Sequence, residues 1–268
     1  MGESNKRFVG AYQDSYSPNG IIGEKDACGV GFIANVKGIE SNWILKQSLK
    51  GLNCMEHRGG CGGDSDSGDG AGILCSIPWG YLDEELNLIN KQNLDRGLGM
   101  VFMPNKEEKI EECKLICEEE AEKLSIKETS WRKVPVNNEI LGPLAKANVP
   151  YICQWILYID TKDNQNIERL LFQLRKRIEK KIRETFKNDV GDCEFYFASL
   201  SSQTVVYKGM VRSEILSEFY QDLKKENFKV SFSVYHRRFS TNTLPKWPLA
   251  QPMRFLGHNG EINTLLGN

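Results

Sequence analysis

Long apolar runs are missing from this sequence of 268 residues. No stretch approaches the roughly 20 apolar residues of a membrane-spanning helix, and the N-terminus lacks the apolar core of a secretory signal. The sequence also lacks an excess of charge of either sign, because it has 35 basic and 36 acidic side chains. Without a strong field the protein is not expected to gather nucleic acid or a membrane surface. We therefore expect a protein of the cytoplasm or an organelle stroma that binds a small molecule or another protein.

Metal-binding patterns are absent as well, although the chain has eight cysteines. No CxxC pair occurs, and none of the three histidines stands at zinc-finger spacing to a cysteine pair. Cys113 and Cys117 continue an apolar helical stripe, which favours core packing over metal binding. We predict no metal site and regard most of the thiols as small core side chains. Cys28 needs a different explanation.

The surroundings of Cys28 change abruptly along the chain. Residues 1–27 are polar and rich in turn residues, and they have the character of a tail. The segment from Cys28 to Val36 is apolar on both alternating faces, which predicts a strand buried between two layers. Cys28 would then stand at the head of a buried strand, where a nucleophile could be presented.

The rest of the chain alternates strands with helices. Leu45, Leu49, Leu52 and Met55 repeat at helical spacing, and this helix is predicted to end at the glycines after Arg58. Two-sided sheets covered by helices are the expected result. Further strands are predicted at 71–78, 98–103, 151–160, 194–200, 204–208 and 229–238, and further helices at 107–124 and around Ile167, Leu171, Leu174, Ile178, Ile182 and Phe186.

A loop rich in glycine and aspartate runs from Gly59 to Gly72. It lacks the lysine of a phosphate-binding loop, and its aspartates would repel phosphate. It also fails the calcium-loop pattern, because counting from Asp64 puts Gly68 at position 5 and Asp69 at position 6. Two interpretations stay open: a plain structural loop, and a tight loop that brings its backbone close to another part of the molecule.

Two positions near the C-terminal end, Arg238 and Asn259-Gly260, could bind a substrate or could have purely structural roles. The alternation through Val230, Phe232 and Val234 continues to Arg238, so a guanidinium would stand at the mouth of an apolar face and need a carboxylate; it could equally be solvated outside the sheet. Asn259-Gly260 could be a hairpin turn, or it could aim a side-chain amide and a backbone N–H at one point.

Longer motifs give these residues a common context. The segments Cys28-Gly-Val-Gly-Phe-Ile-Ala and Glu56-His-Arg-Gly59 resemble the opening of class II glutamine amidotransferases, which are N-terminal-nucleophile hydrolases. Three further segments resemble one family within that class, the glutamate synthases. They are Ser67-Gly-Asp-Gly-Ala-Gly72, Arg238-Phe-Ser-Thr-Asn-Thr-Leu-Pro-Lys-Trp-Pro-Leu-Ala-Gln-Pro252 and Gly257-His-Asn-Gly-Glu-Ile-Asn263. The resemblance runs from Cys28 to the last residue.

The resemblance implies an α+β fold, the four-layer αββα sandwich of the N-terminal-nucleophile hydrolases. Residues 1–27 would be a propeptide, and residues 28–268 would be an amidotransferase domain that is incomplete at its C-terminus. Removal of the propeptide would free the α-amine of Cys28. With a reference pKa of about 7.7–8.0, this amine could serve as the general base.

The resemblance also assigns roles. Cys28 would attack the side-chain amide of L-glutamine and form a thioester, releasing ammonia and then glutamate. Asn259 and Gly260 would form the oxyanion hole, and Arg238 would bind the α-carboxylate. The substrate site would be completed by Thr241, Asn242 and Arg58.

Cofactors are not expected in this segment. In the full enzyme, the resemblance implies FMN and an iron–sulfur cluster in a downstream synthase region, which uses the ammonia to aminate 2-oxoglutarate. Electrons would come from ferredoxin or from a nicotinamide-dependent small subunit, and the sequence does not choose between them. The location would be the cytoplasm or the plastid stroma. Two alternatives stay open: another class II amidotransferase, such as an asparagine or aminosugar-phosphate synthase, and a remnant that binds glutamine or a protein without catalysis.

Overall fold

The computed structural model contains two antiparallel sheets of four strands each, together with helices. The predicted α+β class is therefore confirmed. The strands are β1 (Val30–Ala34), β2 (Ala71–Ser76), β3 (Asp95–Met103), β4 (Glu128–Lys133), β5 (Tyr151–Ile159), β6 (Tyr196–Ser201), β7 (Thr204–Gly209) and β8 (Phe232–Arg237). The helices are α1 (Asn42–Cys54), α2 (Trp79–Leu86), α3 (Glu107–Glu122), α4 (Pro143–Ala147), α5 (Ile167–Thr185) and α6 (Leu216–Phe219). The structure describes residues 29–55, 64, 66–87, 95–126, 128–159, 167–187, 194–237 and 246–254.

The first sheet has the strand order β1-β8-β2-β7. Helix α1 covers part of one face, where Ile44, Leu45 and Leu52 are buried in its core cluster. The spacing of these side chains is the helical period read from the sequence, so this helix is confirmed, although it ends at Cys54, before Arg58.

The prediction that β1 is buried on both faces is wrong. In the described sheet β1 is an edge strand, and Phe32 on its outer face is 75% exposed. Ile33, on the opposite face, packs against the core. An alternating apolar pattern identifies the strand, but it cannot tell whether a second layer covers the outer face in the tertiary structure.

The second sheet has the order β4-β5-β3-β6, and α3 and α5 pack on it. The predicted one-sided helix is confirmed, because Leu171, Leu174, Ile178 and Ile182 of α5 are all buried. Among the described helices, none is long and apolar enough to cross a membrane. The core role of the cysteines is confirmed for four of the five cysteines described, because Cys75, Cys113, Cys117 and Cys153 are buried.

A polar network joins the two sheets inside the core. Arg132 of β4 pairs bidentately with Asp222, with both N–O distances 2.8 Å. Tyr81 and Tyr207 donate hydrogen bonds to the same carboxylate at 2.8 and 3.1 Å, and Gln154 accepts one from Arg132 at 2.9 Å. Burial opposes the charge of Arg132, but Asp222 outweighs it and raises the guanidinium pKa above its ordinary value. We refer to these five residues as the Arg132 network.

Four elements were absent from the sequence-based prediction: strand β4 and the short helices α2, α4 and α6, of which β4 and α2 contribute to the Arg132 network. Strand β4 reads Glu-Thr-Ser-Trp-Arg-Lys, which has little apolar alternation because it is the edge strand of the second described sheet. Helix α2 is only 8 residues long and follows β2 almost directly, so its period is too short to recognise. Pairing with β5 and packing of Tyr81 and Leu82 in the core create these two elements.

Candidate functional site

All seven residues predicted to act in the site lie outside the described part of the chain. They are Cys28, Arg58, Arg238, Thr241, Asn242, Asn259 and Gly260. The structure describes a sequence neighbour for two of them, Gly29 after Cys28 and Arg237 before Arg238, and these two flanking residues lie at one end of the first sheet. The candidate active site is built from that end.

The residue after Cys28 lies beside the residue before Arg238. The backbone N–H of Arg237 donates a hydrogen bond of 2.7 Å to the carbonyl oxygen of Gly29. This bond continues the antiparallel register of β1 and β8, in which Val30 is opposite His236. A Cβ atom on Gly29 would stand 2.6 Å from the carbonyl oxygen of Arg237, so this approach requires glycine. The sheet therefore brings the two chain segments together at one end.

Arg237 is held in place by an ion pair that the sequence analysis missed. Its side chain is 1% exposed, and its guanidinium donates to Asp69 at 2.7 Å and to the carbonyl oxygen of Gly70 at 3.2 Å. Because strand residues alternate, Arg237 points to the face opposite His236. The sequence-based prediction considered only the strand face that carries Val234 and Arg238, and Arg237 is on the other face. The signal available in the sequence was an arginine at the next strand position and a nearby loop rich in aspartate.

The described part of the glycine–aspartate loop is packed tightly against two other segments. The carboxylate of Asp64 accepts hydrogen bonds from the backbone of Leu144 at 2.8 Å and from the hydroxyl of Ser67 at 2.7 Å. These bonds, led by that from Leu144, lower the pKa of Asp64 to about 2. A Cβ atom on Gly68 would stand 2.2 Å from the carbonyl carbon of Val211. In its described part the loop thus brings its backbone close to Val211, an arrangement that both interpretations of the loop allow.

Residues 246–254, which we call the strap, lie across the same end of the sheet. The indole N–H of Trp247 donates to the carbonyl oxygen of Ala145 at 3.2 Å, and Arg254 forms an ion pair with Glu168. Between these anchors, the amine of Lys208 donates to the carbonyl oxygen of Pro248 at 2.8 Å. The strap is therefore fixed near its start, at Trp247 and Pro248, and at its end, at Arg254.

A row of aligned residues connects the strap to β1. Lys208 of β7 is opposite Gly72 of β2, which is opposite His236 of β8, which is opposite Val30. Gly72 leaves room for the strap, because a Cβ atom there would meet the carbonyl oxygen of Gln251 at 2.7 Å. Within the described residues, no group of three or more His, Cys, Asp or Glu side chains could hold a metal ion.

A family model, the class II glutamine amidotransferases, matches residues 28–268. The chain therefore belongs to the class II glutamine amidotransferase family. Within that family it is similar to ferredoxin-dependent glutamate synthases. It is 49% identical over 252 residues to ferredoxin-dependent glutamate synthase 1, chloroplastic/mitochondrial, of Arabidopsis thaliana, covering 92% of this chain and 15% of the relative.

Two further relatives are also ferredoxin-dependent glutamate synthases. The ferredoxin-dependent glutamate synthase 2 of a Synechocystis strain is 50% identical over 254 residues, covering 92% of this chain and 16% of the relative. The ferredoxin-dependent glutamate synthase of Pyropia yezoensis is 47% identical over 271 residues, covering 100% of this chain and 17% of the relative. The chain thus spans about a sixth of the length of these relatives.

Proposed function

We propose that this chain is the glutamine-hydrolysing region of a glutamate synthase, with Cys28 as its nucleophile. The observation that carries the proposal is the hydrogen bond between Gly29 and Arg237 at the end of the first sheet. Since Cys28 precedes Gly29 and Arg238 follows Arg237, this pairing supports a site in which the thiol and the carboxylate-binding guanidinium belong to neighbouring chain segments. The thiol attacks the side-chain amide of glutamine, a thioester forms, and ammonia leaves. Water then releases glutamate.

The remaining roles follow the same arrangement. In the proposal, Asn259 and Gly260 donate hydrogen bonds to the oxyanion, and the strap that precedes them supports this role because it is anchored at the same end of the sheet. Arg238 binds the α-carboxylate of glutamine as a bidentate pair. Arg58, Thr241 and Asn242 contact the substrate in the proposal, without a described neighbour that supports a particular contact.

Maturation is part of the proposal. Residues 1–27 are removed as a propeptide, and the new α-amine of Cys28 is the general base. The family match, which begins at Cys28, supports this boundary. The mature fold is a four-layer αββα sandwich; the two antiparallel sheets and the helices on them support that layering.

The whole protein has a wider activity in this proposal. The short share of each relative that the chain covers, and the exposed outer face of β1, support a natural protein that continues beyond this region. The ammonia then aminates 2-oxoglutarate in a synthase region that holds FMN and an iron–sulfur cluster. The names of the relatives favour ferredoxin over a nicotinamide-dependent subunit as the electron donor, and the name of the Arabidopsis relative, which includes the word chloroplastic, favours the plastid stroma over the cytoplasm.

The test compares Cys28→Ala with Cys54→Ala in the natural gene product. Cys54 is an exposed free thiol at the end of α1 and serves as the matched control. We expect Cys28→Ala to abolish ammonia release from glutamine while ammonia-dependent glutamate synthesis survives, and Cys54→Ala to keep both activities. The intact mass of the wild-type protein should lack residues 1–27. An unprocessed protein that releases no ammonia from glutamine would instead favour the non-catalytic remnant.

A further inference from the structure

Lys208 is a buried amine in the first sheet, and within the described residues none of its contacts is a carboxylate. Its side chain is 0% exposed. Its amine donates hydrogen bonds to the carbonyl oxygen of Pro248 at 2.8 Å and to the hydroxyl of Tyr196 at 3.1 Å. It also approaches the sulfur of Met253 at 3.4 Å. All these contacts are neutral, and two of the three belong to the strap.

Burying a lysine amine without a counter-charge costs free energy, so we infer that Lys208 has a functional role. Burial in a protein interior disfavours the charged form of a lysine, and an apolar side chain of similar shape would avoid that cost. The contacts of Lys208 therefore point to its function, and the strongest of them is the hydrogen bond to the backbone of the strap. A methionine could fill the same space but could not donate this bond.

The strap matters because it leads directly to the proposed donors of the oxyanion hole. It ends at Arg254, a few residues before Asn259 and Gly260. Its far end is held by Glu168, which also accepts hydrogen bonds from Ser201 and Ser202 at the tip between β6 and β7. Lys208 therefore contacts the strap near its start, at Pro248, and near its end, at Met253, while Arg254 depends on Glu168 and the adjoining hairpin.

We propose that Lys208 is a positioning residue for glutamine hydrolysis: through Pro248 it fixes the strap, and through the strap it fixes the donors of the oxyanion hole. The inference rests on the proposed function of Asn259 and Gly260. Lys208 itself does not touch the substrate. Because the oxyanion develops in the transition state, a misplaced hole lowers kcat and leaves the KM for glutamine nearly unchanged.

The charged and titratable groups around Lys208 connect its role to pH. Desolvation lowers the pKa of the Lys208 amine to about 7, and the positive charge of Arg175 on α5 lowers it in the same direction. Tyr196 on β6 lies with its ring centroid 4.7 Å from the amine and has its own pKa raised to about 12 by burial, so it stays neutral. Protonation of Lys208 thus adds a positive charge under the strap, where its contacts among the described residues are neutral.

The experiment measures glutamine hydrolysis in the natural gene product from about pH 6 to about pH 9. It compares the wild type with Lys208→Met and with Lys246→Met. Lys246 is the matched control, since it stands on the strap itself and its amine contacts Glu194 at 3.5 Å in an exposed pair. We expect Lys208→Met to have a ten- to hundredfold lower kcat and an unchanged KM for glutamine. The acidic limb of its pH profile should be shallower, because the ionisation of Lys208 is gone and that of the Cys28 α-amine remains. Lys246→Met should match the wild type.

Three outcomes would overturn the inference. The first is an unchanged kcat and pH profile in Lys208→Met while Cys28→Ala is inactive, which leaves the proposed function intact. The second is an equal fall of kcat in Lys246→Met. The third is persistent hydrolysis in Cys28→Ala, which overturns the proposed function as well. If Lys208→Met does not fold, Tyr196→Phe removes one acceptor of the amine and is expected to lower kcat two- to fivefold; no change would overturn the inference.

Discussion

Two buried cations in this molecule have opposite surroundings. Arg132 stands between the sheets, pairs bidentately with Asp222 and keeps its charge. Lys208 stands at the end of the first sheet among neutral groups, and its pKa falls to about 7. Arginine delocalises its charge and forms a planar fork of donors, whereas lysine can release its proton. The core between the sheets is therefore built around a permanent ion pair, and the candidate active-site end around a titratable amine.

The largest effect is expected from breaking the permanent pair. Asp222→Asn leaves the buried guanidinium of Arg132 without its counter-charge, so the free energy of unfolding should fall by about 3–5 kcal/mol. Denaturation in urea would measure the loss. Replacing both partners together, as Arg132→Met with Asp222→Leu, should recover only part of it, because no unpaired charge remains but the hydroxyls of Tyr81 and Tyr207 lose their carboxylate acceptor. A single variant within about 1 kcal/mol of the wild type would contradict the assigned role of the pair.

The second prediction concerns the pH dependence of stability at Lys208. The unfolded lysine holds its proton up to about pH 10.4, whereas the folded one releases it near 7. Between these values the unfolded state binds more protons, so the free energy of unfolding should rise with pH. Relative to Lys208→Met, the wild type should gain on the order of 3 kcal/mol from pH 7 to about pH 10. Parallel stability curves for the two proteins would show that the amine keeps an ordinary pKa.

The third prediction tests a pair of intermediate exposure at the active-site end. Asp69→Asn removes the carboxylate that binds Arg237, although the carbonyl oxygen of Gly70 remains as an acceptor. The free energy of unfolding should fall by about 1.5–3 kcal/mol, the usual range for a hydrogen bond to a charged group. Glutamine hydrolysis should fall too, because Arg237 ties β8 to Gly29. Full activity together with lower stability would separate Asp69 from the site.

The smallest effect is expected at an exposed pair. Lys146 and Glu139 form an ion pair of 3.0 Å, with side-chain exposures of 47% and 84%. Water screens such a pair, so Glu139→Gln should change the free energy of unfolding by less than about 0.5 kcal/mol. The same urea titrations would measure it. If Glu139→Gln lowered the free energy of unfolding as much as Asp69→Asn, burial would not determine how much each ion pair contributes to stability.

The apolar patterns were sufficient to predict most of the elements that form the two sheets and their helices. Helix α5 is the clearest case, because its buried side chains recur at the helical period. Strand β5 was likewise predicted nearly to its bounds, since a continuous apolar run of that length is typical of a fully buried strand. The site residues were assigned through longer motifs, and they stay predictions because they lie outside the described residues.

The sequence by itself determined the family, the class of the fold and most of its strands and helices, because local periodicity and long motifs are written directly in the order of residues. Only the tertiary structure decided that Phe32 faces outward, that Arg237 meets Asp69 and that Lys208 meets Pro248. These facts depend on which strand occupies a sheet edge and on partners 168 and 40 residues apart in the chain. Contacts between residues so far apart in sequence are determined by how whole layers pack, so a local sequence pattern cannot predict them.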